Sequence, residues 1–362
     1  MSNNKYPCIS FDTTKLSDNI KTIIKKTMEY RCVPIFVTKG FCANEDIVNL
    51  IYKNGGRWVG DSRILNLKKI TSMSLEFDKK VLLRIPMQSE LEDVIEYADI
   101  SFESEYKTIE RLSKIAYSKR KKHDIVLMIE QGDLREGILK EDVHRIFHDI
   151  KKLKNINIVG IGSNLTCLNG ILPSIQTIGE LECLYIDLQK KGSNLNLLSY
   201  GNSSMLGFLK DVDKKLNGIK NIRVGESFLM GIDTTTRRDC KWLNQNNFTF
   251  SAQIVELKKK PSKPWGEISY DGYGNVVKHK DEGVRTRAIL GFGRQDVDIR
   301  FITPKDPHVT LIGQNSDHTL LDVTNGEYIL GDIVEFDMNY QGLLMCMTSE
   351  YVYKNFKGGN NV

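Results

Sequence analysis

Residues 33–40 read Val-Pro-Ile-Phe-Val-Thr-Lys-Gly, six apolar or β-branched residues followed by a lysine and a glycine. A run this apolar is typical of a strand that is buried on both faces of a parallel sheet. Seven further runs of the same kind follow, spaced roughly 20 to 40 residues apart, which is the spacing of successive β–α units. They are 58–61, 81–85, 100–103, 125–129, 158–161, 197–200 and 222–225.

The segments between these runs have the periodicity of amphipathic helices. Leu16, Ile20 and Ile23, for example, fall on one face of a helix near the N-terminus. Eight alternating strand and helix units predict a closed (β/α)8 barrel, also called a TIM barrel. We expect this α/β domain to cover residues 1–235.

The pattern changes after residue 235, where helical periodicity gives way to frequent turn signals such as Asn325-Gly326. Apolar segments between the turns have the length and composition of strands. We therefore expect a C-terminal all-β domain over residues 236–362. Its predicted strands are 250–257, 288–292, 309–312, 319–323 and 333–337.

Composition excludes several classes of protein. The chain has 362 residues, of which 27% are charged, and a net charge of +5. No apolar run approaches the roughly 20 residues of a membrane helix, so no membrane association is expected. The lysine clusters lack interleaved aromatics, so we interpret them as solvated surface and expect no nucleic-acid partner. The absence of an apolar signal at the N-terminus and of paired cysteine motifs predicts a cytoplasmic protein.

In a β/α barrel the chemistry lies at the carboxyl ends of the strands. The residues there include Lys39 and several arginines, among them Arg135 and Arg223, which suit an anionic ligand. The turns after strands seven and eight, Gly201-Asn202-Ser203-Ser204 and Gly225-Glu226-Ser227, are rich in small residues and resemble phosphate-binding loops. The alternative for the first turn is an ordinary helix cap. His144 and His148 lack a third ligand, so we expect no metal site.

Ten short motifs occur in order along the chain, and together they resemble the alanine racemase superfamily of pyridoxal 5′-phosphate (PLP) enzymes, most closely its ornithine racemase-like branch. They begin at Phe36, Gly60, Leu83, Gln131, Ser163, Gly201, Arg223, Ala252, Gly293 and Ser316. The resemblance implies a homodimer in which the β-domain of one chain completes the active site of the other. It also implies a small amino-acid substrate.

The resemblance assigns candidate roles to residues of both domains. Lys39 would hold PLP as a Schiff base and act as one catalytic base. Arg223 would face the pyridine nitrogen, and Arg135 would lie near the phenolic oxygen of PLP or the substrate carboxylate. The remaining predicted cofactor-binding residues are Asn164, Asn202, Ser203, Ser204, Gly225, Glu226 and, from the β-domain, Tyr340.

The second catalytic base departs from the family pattern. Racemisation needs a base on each face of the α-carbon, and alanine racemases use a tyrosine where this chain has Phe292. The candidates that remain are Asp317 and His318, in a loop that the family brings into the active site. A surface position is the alternative for this histidine.

The resemblance implies a PLP-dependent amino-acid racemase, an isomerase that moves the α-proton through an aldimine. The resemblance alone indicates ornithine or a similar basic amino acid as the substrate. The alternatives are a non-catalytic PLP-binding protein, a racemase for alanine, serine or another amino acid, and a decarboxylase of the same fold. Four acidic residues could recognise a side-chain ammonium or could instead pair with the arginines. They are Asp61, Asp133, Glu226 and Asp296.

Overall fold

A computed structural model describes residues 5–191, 194–270, 272, 274, 276 and 280–357. The chain divides into two compact units. One unit is the continuous segment Lys15–Gln245. The other combines the chain before this segment, including the first strand β1 (Cys8–Asp12), with the chain from Asn246 onward.

The continuous unit contains eight parallel strands that close into a barrel, each paired with its neighbours in chain order and the last with the first. This arrangement confirms the predicted (β/α)8 fold, and every predicted run lies on or overlaps one strand. The strands are β2 (Cys32–Val37), β3 (Trp58–Asp61), β4 (Lys79–Leu82), β5 (Ile100–Glu103), β6 (His123–Met128), β7 (Ile156–Gly162), β8 (Leu197–Ser199) and β9 (Ile219–Val224).

Helices follow the strands and bury one apolar face each, as Leu16, Ile20 and Ile23 do in the first. They are α1 (Thr13–Met28), α2 (Glu45–Lys53), α3 (Ile64–Ser72), α4 (Leu91–Tyr97), α5 (Tyr106–Ser118), α6 (Val143–Ile150), α7 (Ile175–Lys190) and α8 (Glu226–Met230). A short hairpin of β10 (Ile232–Asp233) and β11 (Arg238–Asp239) follows the last helix.

Large apolar side chains fill the barrel interior, so the barrel is a packed core and not a channel. The cluster consists of Ile35, Trp58, Val81, Ile100, Phe102, Val126, Met128 and Leu197. Because these side chains occupy the interior, polar chemistry is left to the strand ends.

The second unit is built on a mainly antiparallel sheet, which confirms the predicted β-domain, and it contains a buried aromatic cluster of Phe250, Phe292 and Phe336. Its further elements are β12 (Phe248–Pro261), β13 (Val284–Leu290), β14 (Ile302–Pro304), β15 (Thr310–Gln314), β16 (Thr319–Asp322), β17 (Ile333–Met338), α9 (Tyr340–Thr348) and β18 (Tyr353–Lys357).

The division of the chain differs from the predicted boundary between residues 235 and 236. β1 belongs with the second unit because it pairs antiparallel with β12 and parallel with β18. The continuous unit extends to Gln245. The helix α9 is also a departure from the all-β prediction.

Among the residues described, no helix combines the length and apolar character that crossing a bilayer requires.

Candidate active site at the carboxyl ends of the barrel strands

Lys39 follows β2 at the rim of the barrel and begins a single 3₁₀ turn, Lys39–Phe41. Its side chain is exposed, whereas the preceding Thr38 is fully buried. Thr38 is attached to the neighbouring strand: its N–H donates to Gly60 O at 2.9 Å and its hydroxyl to Asp61 Oδ2 at 2.5 Å. The backbone next to Lys39 is therefore hydrogen-bonded to β3, and the lysine amine lies at the rim of the barrel.

Asp61 ends β3 and is fully buried. Besides Thr38, it accepts hydrogen bonds from Asn66 Nδ2 at 3.0 Å and from the backbone N–H of Arg63 at 2.8 Å. Burial raises the pKa of this carboxyl, while these donors and the charge of Lys39 act in the opposite direction. Asp61 is therefore part of the framework around Lys39.

Arg223 lies next to the last residue of β9 and is buried, with only 5% of its surface exposed. Its guanidinium donates to Ser199 Oγ, to Ser163 O at 2.6 Å and to Asn164 Oδ1 at 3.1 Å. It also lies over the Phe102 ring, 5.2 Å from the centroid. Burial lowers the pKa of Arg223 to about 9, so it stays protonated at neutral pH.

Two turns at the ends of β8 and β9 are joined by one serine hydroxyl. Ser203 Oγ accepts the backbone N–H of Gly225 at 3.1 Å and that of Ser227 at 3.5 Å. Asn202 caps the 3₁₀ turn Ser203–Gly207 by accepting the Ser204 N–H at 2.9 Å. The side chain of Ser203 is thus used to hold the two turns together.

The same region carries buried polar atoms that have no hydrogen-bond partner within the described chain. They are Ser204 Oγ, Ser227 Oγ and Asn164 Nδ2. Ser204 and Ser227 are each 1% exposed. Leaving buried donors unpaired costs free energy, so such a group is typical of a site that a polar ligand completes.

Gly201 opens the first of these turns with a φ of 155°, a conformation that favours glycine. A Cβ at this position would also lie 3.0 Å from Met205 Cγ.

The carboxylate of Glu226 forms an ion pair with Arg237 at 2.9 Å. Glu226 can therefore serve an anion site only through its backbone.

Arg135 lies in the loop after β6, where it forms a two-point ion pair with the adjacent Glu136. Its NH1 group also contacts Cys167 Sγ in the loop after β7, at 2.7 Å. The two loops are tied by buried Asp133, whose carboxylate accepts backbone N–H groups from Cys167, Leu168, Asn169 and Ile171. Burial opposes ionisation of Asp133, but these donors prevail and lower its pKa.

The remaining predicted site residues belong to the second unit. Asp317 and His318 are exposed in the four-residue hairpin loop between β15 and β16. Gln295 Nε2 donates to Asp317 Oδ1 at 2.8 Å, and Ser316 Oγ donates to Asp317 Oδ2. Tyr340 is the first residue of α9. Phe292 is 1% exposed within the aromatic cluster, with its ring centroid 4.8 Å from that of Phe250.

Within the barrel unit the predicted residues of the two turns and Arg223 form one connected group, through Asn164 and Asn202. Sequence reasoning missed the contributions of Ser199 and Thr38, and it named Ser227 only as part of a turn and Asp61 only as a candidate for substrate recognition or ion pairing. Their positions at or beside strand ends are the signal that could have identified them. The acidic candidates Asp133 and Asp296 are engaged within the fold, the latter by Gly293 N–H and Ser349 Oγ.

The model of a known family, described as "Alanine racemase, N-terminal domain", matches residues 11–231. The fold and the site therefore define a class, the alanine racemase family, and this chain belongs to it.

Two curated relatives match over nearly the whole chain. Ornithine racemase from Acetoanaerobium sticklandii is 44% identical over 355 residues, which cover 96% of this chain and 99% of the relative. Lysine racemase from Thermotoga maritima is 32% identical over 354 residues, which cover 97% and 99%.

Solved structures share the two-domain fold at low identity. Alanine racemase from Streptomyces lavendulae superposes with a TM-score of 0.76 at 13% identity, covering 98% of this chain and 99% of that chain. Alanine racemase from Bartonella henselae, solved with covalently bound pyridoxal phosphate, has a TM-score of 0.73 at 15% identity, with coverage of 97% and 99%.

Proposed function

We propose that this protein is a PLP-dependent amino-acid racemase, an isomerase that interconverts the L and D forms of ornithine or a similar basic amino acid. The observation that carries the proposal is the placement of two features on adjacent strand ends. β2 pairs with β9 in parallel, Phe36 opposite Val224. Lys39 follows β2, and the turn at Gly225, which contains the unpartnered hydroxyl of Ser227, follows β9.

The residues present fit the cofactor. The hydroxyls of Ser204 and Ser227 would hold its phosphate, since they are buried and have no partner within the described chain. The backbone of the turn at Gly225 and Glu226 would add to this site. The amine of Lys39 would hold the aldehyde carbon covalently. Tyr340 would add a contact to the phosphate, and Asn164 would lie beside the ring.

PLP, when bound, withdraws electrons from the α-carbon of an attached amino acid and so makes its proton acidic. Arg223 would donate to the pyridine nitrogen. A guanidinium with a pKa of about 9 keeps its own proton at neutral pH, so it leaves the ring nitrogen unprotonated. Because Arg223 keeps this proton, the electron withdrawal that the cofactor supplies would be weaker, which suits return of the proton to the α-carbon and therefore racemisation. Arg135, fixed by Glu136, would bind the phenolic oxygen or the substrate carboxylate.

Two groups would move the α-proton, one on each face of the substrate. Lys39 would hold or release it on one face. Phe292 cannot transfer a proton and is buried in the aromatic cluster. Asp317 and His318 are therefore proposed for the other face, with Asp317 fixed by Gln295.

We infer that the second base comes from a second copy of the chain in a homodimer. The loops after β6 and β7 expose several large apolar side chains at the barrel rim, which supports a protein partner there. They are Leu134, Leu139, Leu168, Ile171 and Leu172. The cysteines of the described residues form no disulfide in the structure, which supports the proposed cytoplasmic location.

The choice of a basic substrate rests on the two curated relatives, whose names are ornithine racemase and lysine racemase. The acidic side chains considered for recognition are engaged elsewhere: Asp61 and Asp133 by donors of the barrel, and Glu226 by Arg237. Specificity for a side-chain ammonium is therefore not assigned to them.

Chiral chromatography of reactions with L-ornithine, L-lysine, L-arginine, L-alanine and L-serine tests the proposal. We expect the D form of ornithine or lysine to accumulate to an equal mixture, and Lys39→Ala to abolish this. If PLP binds but none of the five loses its α-proton in deuterated solvent, the protein is a cofactor carrier and the racemase proposal is refuted.

Paired variants test the second base. His318→Ala and Asp317→Asn are each expected to slow turnover of both enantiomers by about 100-fold or more, if the residue transfers the proton or orients the residue that transfers it. His308→Ala, on another loop of the same unit, is the matched control for loss of an exposed histidine. Normal turnover of both enantiomers in both test variants would remove Asp317 and His318 from the mechanism.

A further inference from the structure

Thr38 lies between the last residue of β2 and the lysine at the barrel rim, and its polar groups are bound to β3. The backbone N–H donates to Gly60 O at 2.9 Å, and the hydroxyl donates to Asp61 Oδ2 at 2.5 Å. Thr38 and Asp61 are both fully buried. The residue that precedes Lys39 is therefore fixed to the neighbouring strand, although the lysine side chain itself is exposed.

The carboxylate of Asp61 is fixed in its turn. Asn66 Nδ2 donates to Oδ2 at 3.0 Å, and the backbone N–H of Arg63 donates to Oδ1 at 2.8 Å. Like the Thr38 hydroxyl, both of these groups donate to the carboxylate, which matches an ionised group that only accepts. Burying a charge costs free energy, and these three hydrogen bonds offset part of that cost.

We propose that Thr38 and Asp61 are positioning residues for Lys39, which hold its backbone at the place where its amine captures an aldehyde. The inference rests on the proposed function. It concerns only the covalent part of cofactor binding, since the phosphate part is assigned to the turns after β8 and β9.

Covalent capture depends on the orientation of the amine, because small displacements of a reacting group lower the rate and the stability of the bond it forms. Loss of the Thr38 hydroxyl would leave the start of the 3₁₀ turn held to β3 only by the Thr38 backbone N–H, and it would remove one donor from Asp61. The serine turns would remain as they are. Binding of the aldehyde and binding of the phosphate should therefore separate in the right variants.

Dissociation constants for PLP and for pyridoxine 5′-phosphate, which has the phosphate but no aldehyde, measure this separation. We expect Thr38→Val and Asp61→Asn each to weaken PLP binding about tenfold, the effect of losing one charge-assisted hydrogen bond. Binding of pyridoxine 5′-phosphate should change less than twofold. Thr38→Ser, which keeps the hydroxyl, should match the wild type.

Ser101→Ala is the control for general loss of a buried hydrogen bond, because Ser101 bonds Glu103 elsewhere in the barrel. It should leave both constants unchanged. If Thr38→Val and Asp61→Asn keep the full preference for PLP, or weaken both ligands equally, the positioning role is refuted. If the wild type itself shows no preference for PLP over pyridoxine 5′-phosphate, the proposed function has failed instead.

Discussion

A buried carboxyl group in the barrel wall makes the stability of this protein depend on pH. Glu103 ends β5 and is fully buried with Ser101, whose Oγ lies 2.7 Å from Glu103 Oε1 and 2.9 Å from His123 Nε2. Burial raises the pKa of Glu103 to about 8 and lowers the pKa of His123 to about 4. Both side chains are therefore neutral in the folded protein at pH 7.

The two groups act in opposite directions on the free energy of unfolding. The raised pKa of Glu103 stabilises the fold below pH 4.5, and this contribution is lost as the pH rises to about 8. The lowered pKa of His123 gives a contribution that is complete above pH 6.5 and is lost as the pH falls to about 4. Between pH 4.5 and 6.5 the two contributions to the free energy of unfolding change with pH by equal and opposite amounts, so they cancel. From pH 6.5 to about 8 only Glu103 changes, which lowers the free energy of unfolding by about 2 kcal/mol.

Urea unfolding of the wild type and of Glu103→Gln, followed by tryptophan fluorescence, measures this effect. The amide keeps the shape of the side chain but does not titrate, so other titrating groups cancel in the comparison. We expect the stability of the wild type relative to Glu103→Gln to fall by about 2 kcal/mol between pH 6.5 and about 8.5. Parallel profiles for the two proteins over this range would refute the reasoning.

Three further substitutions have outcomes that the structure predicts. Phe292→Tyr places a hydroxyl in a buried aromatic cluster, so it should lower stability by about 1–3 kcal/mol in thermal unfolding without raising racemase activity; a gain in activity would contradict the packing. Arg223→Lys keeps the charge but cannot serve all the acceptors of the guanidinium, so the melting temperature of the apoprotein should fall by the equivalent of about 2 kcal/mol; an unchanged value would contradict this. Asp133→Asn replaces a carboxylate oxygen that accepts backbone N–H groups with an NH2 group that cannot accept them. Limited proteolysis should therefore cut faster in the loop after β7, and an unchanged cleavage rate would contradict this role of Asp133.

The barrel was predictable because its strands are buried on both faces and so form short apolar runs with regular spacing. Once the strand ends were located, the rim positions of Lys39 and Arg223 followed from the fold. The strand β1 was not assigned to the second unit, because its membership depends on pairing with β12 and β18, more than 200 residues away in sequence, as in Cys8 with Ser251. No local pattern contains that information.

Side-chain roles at the site were less predictable than side-chain positions. The sequence left two interpretations for Asp61, substrate recognition or pairing within the protein. Its full burial and its three hydrogen-bond donors support pairing within the protein. Ser203 and Ser204 are adjacent and chemically identical, yet Ser203 Oγ joins two turns while Ser204 Oγ is left without a partner in the described chain. This difference depends on backbone geometry that the sequence does not show.

The central claim is that the amine of Lys39 carries the cofactor. Incubation with PLP, reduction with borohydride and peptide mapping by mass spectrometry test it directly, because reduction makes the attachment permanent. We predict a pyridoxyl group on the peptide that contains Lys39 and none on that peptide in Lys39→Ala. A pyridoxyl group on another lysine, or on none, in the wild-type protein would contradict the claim.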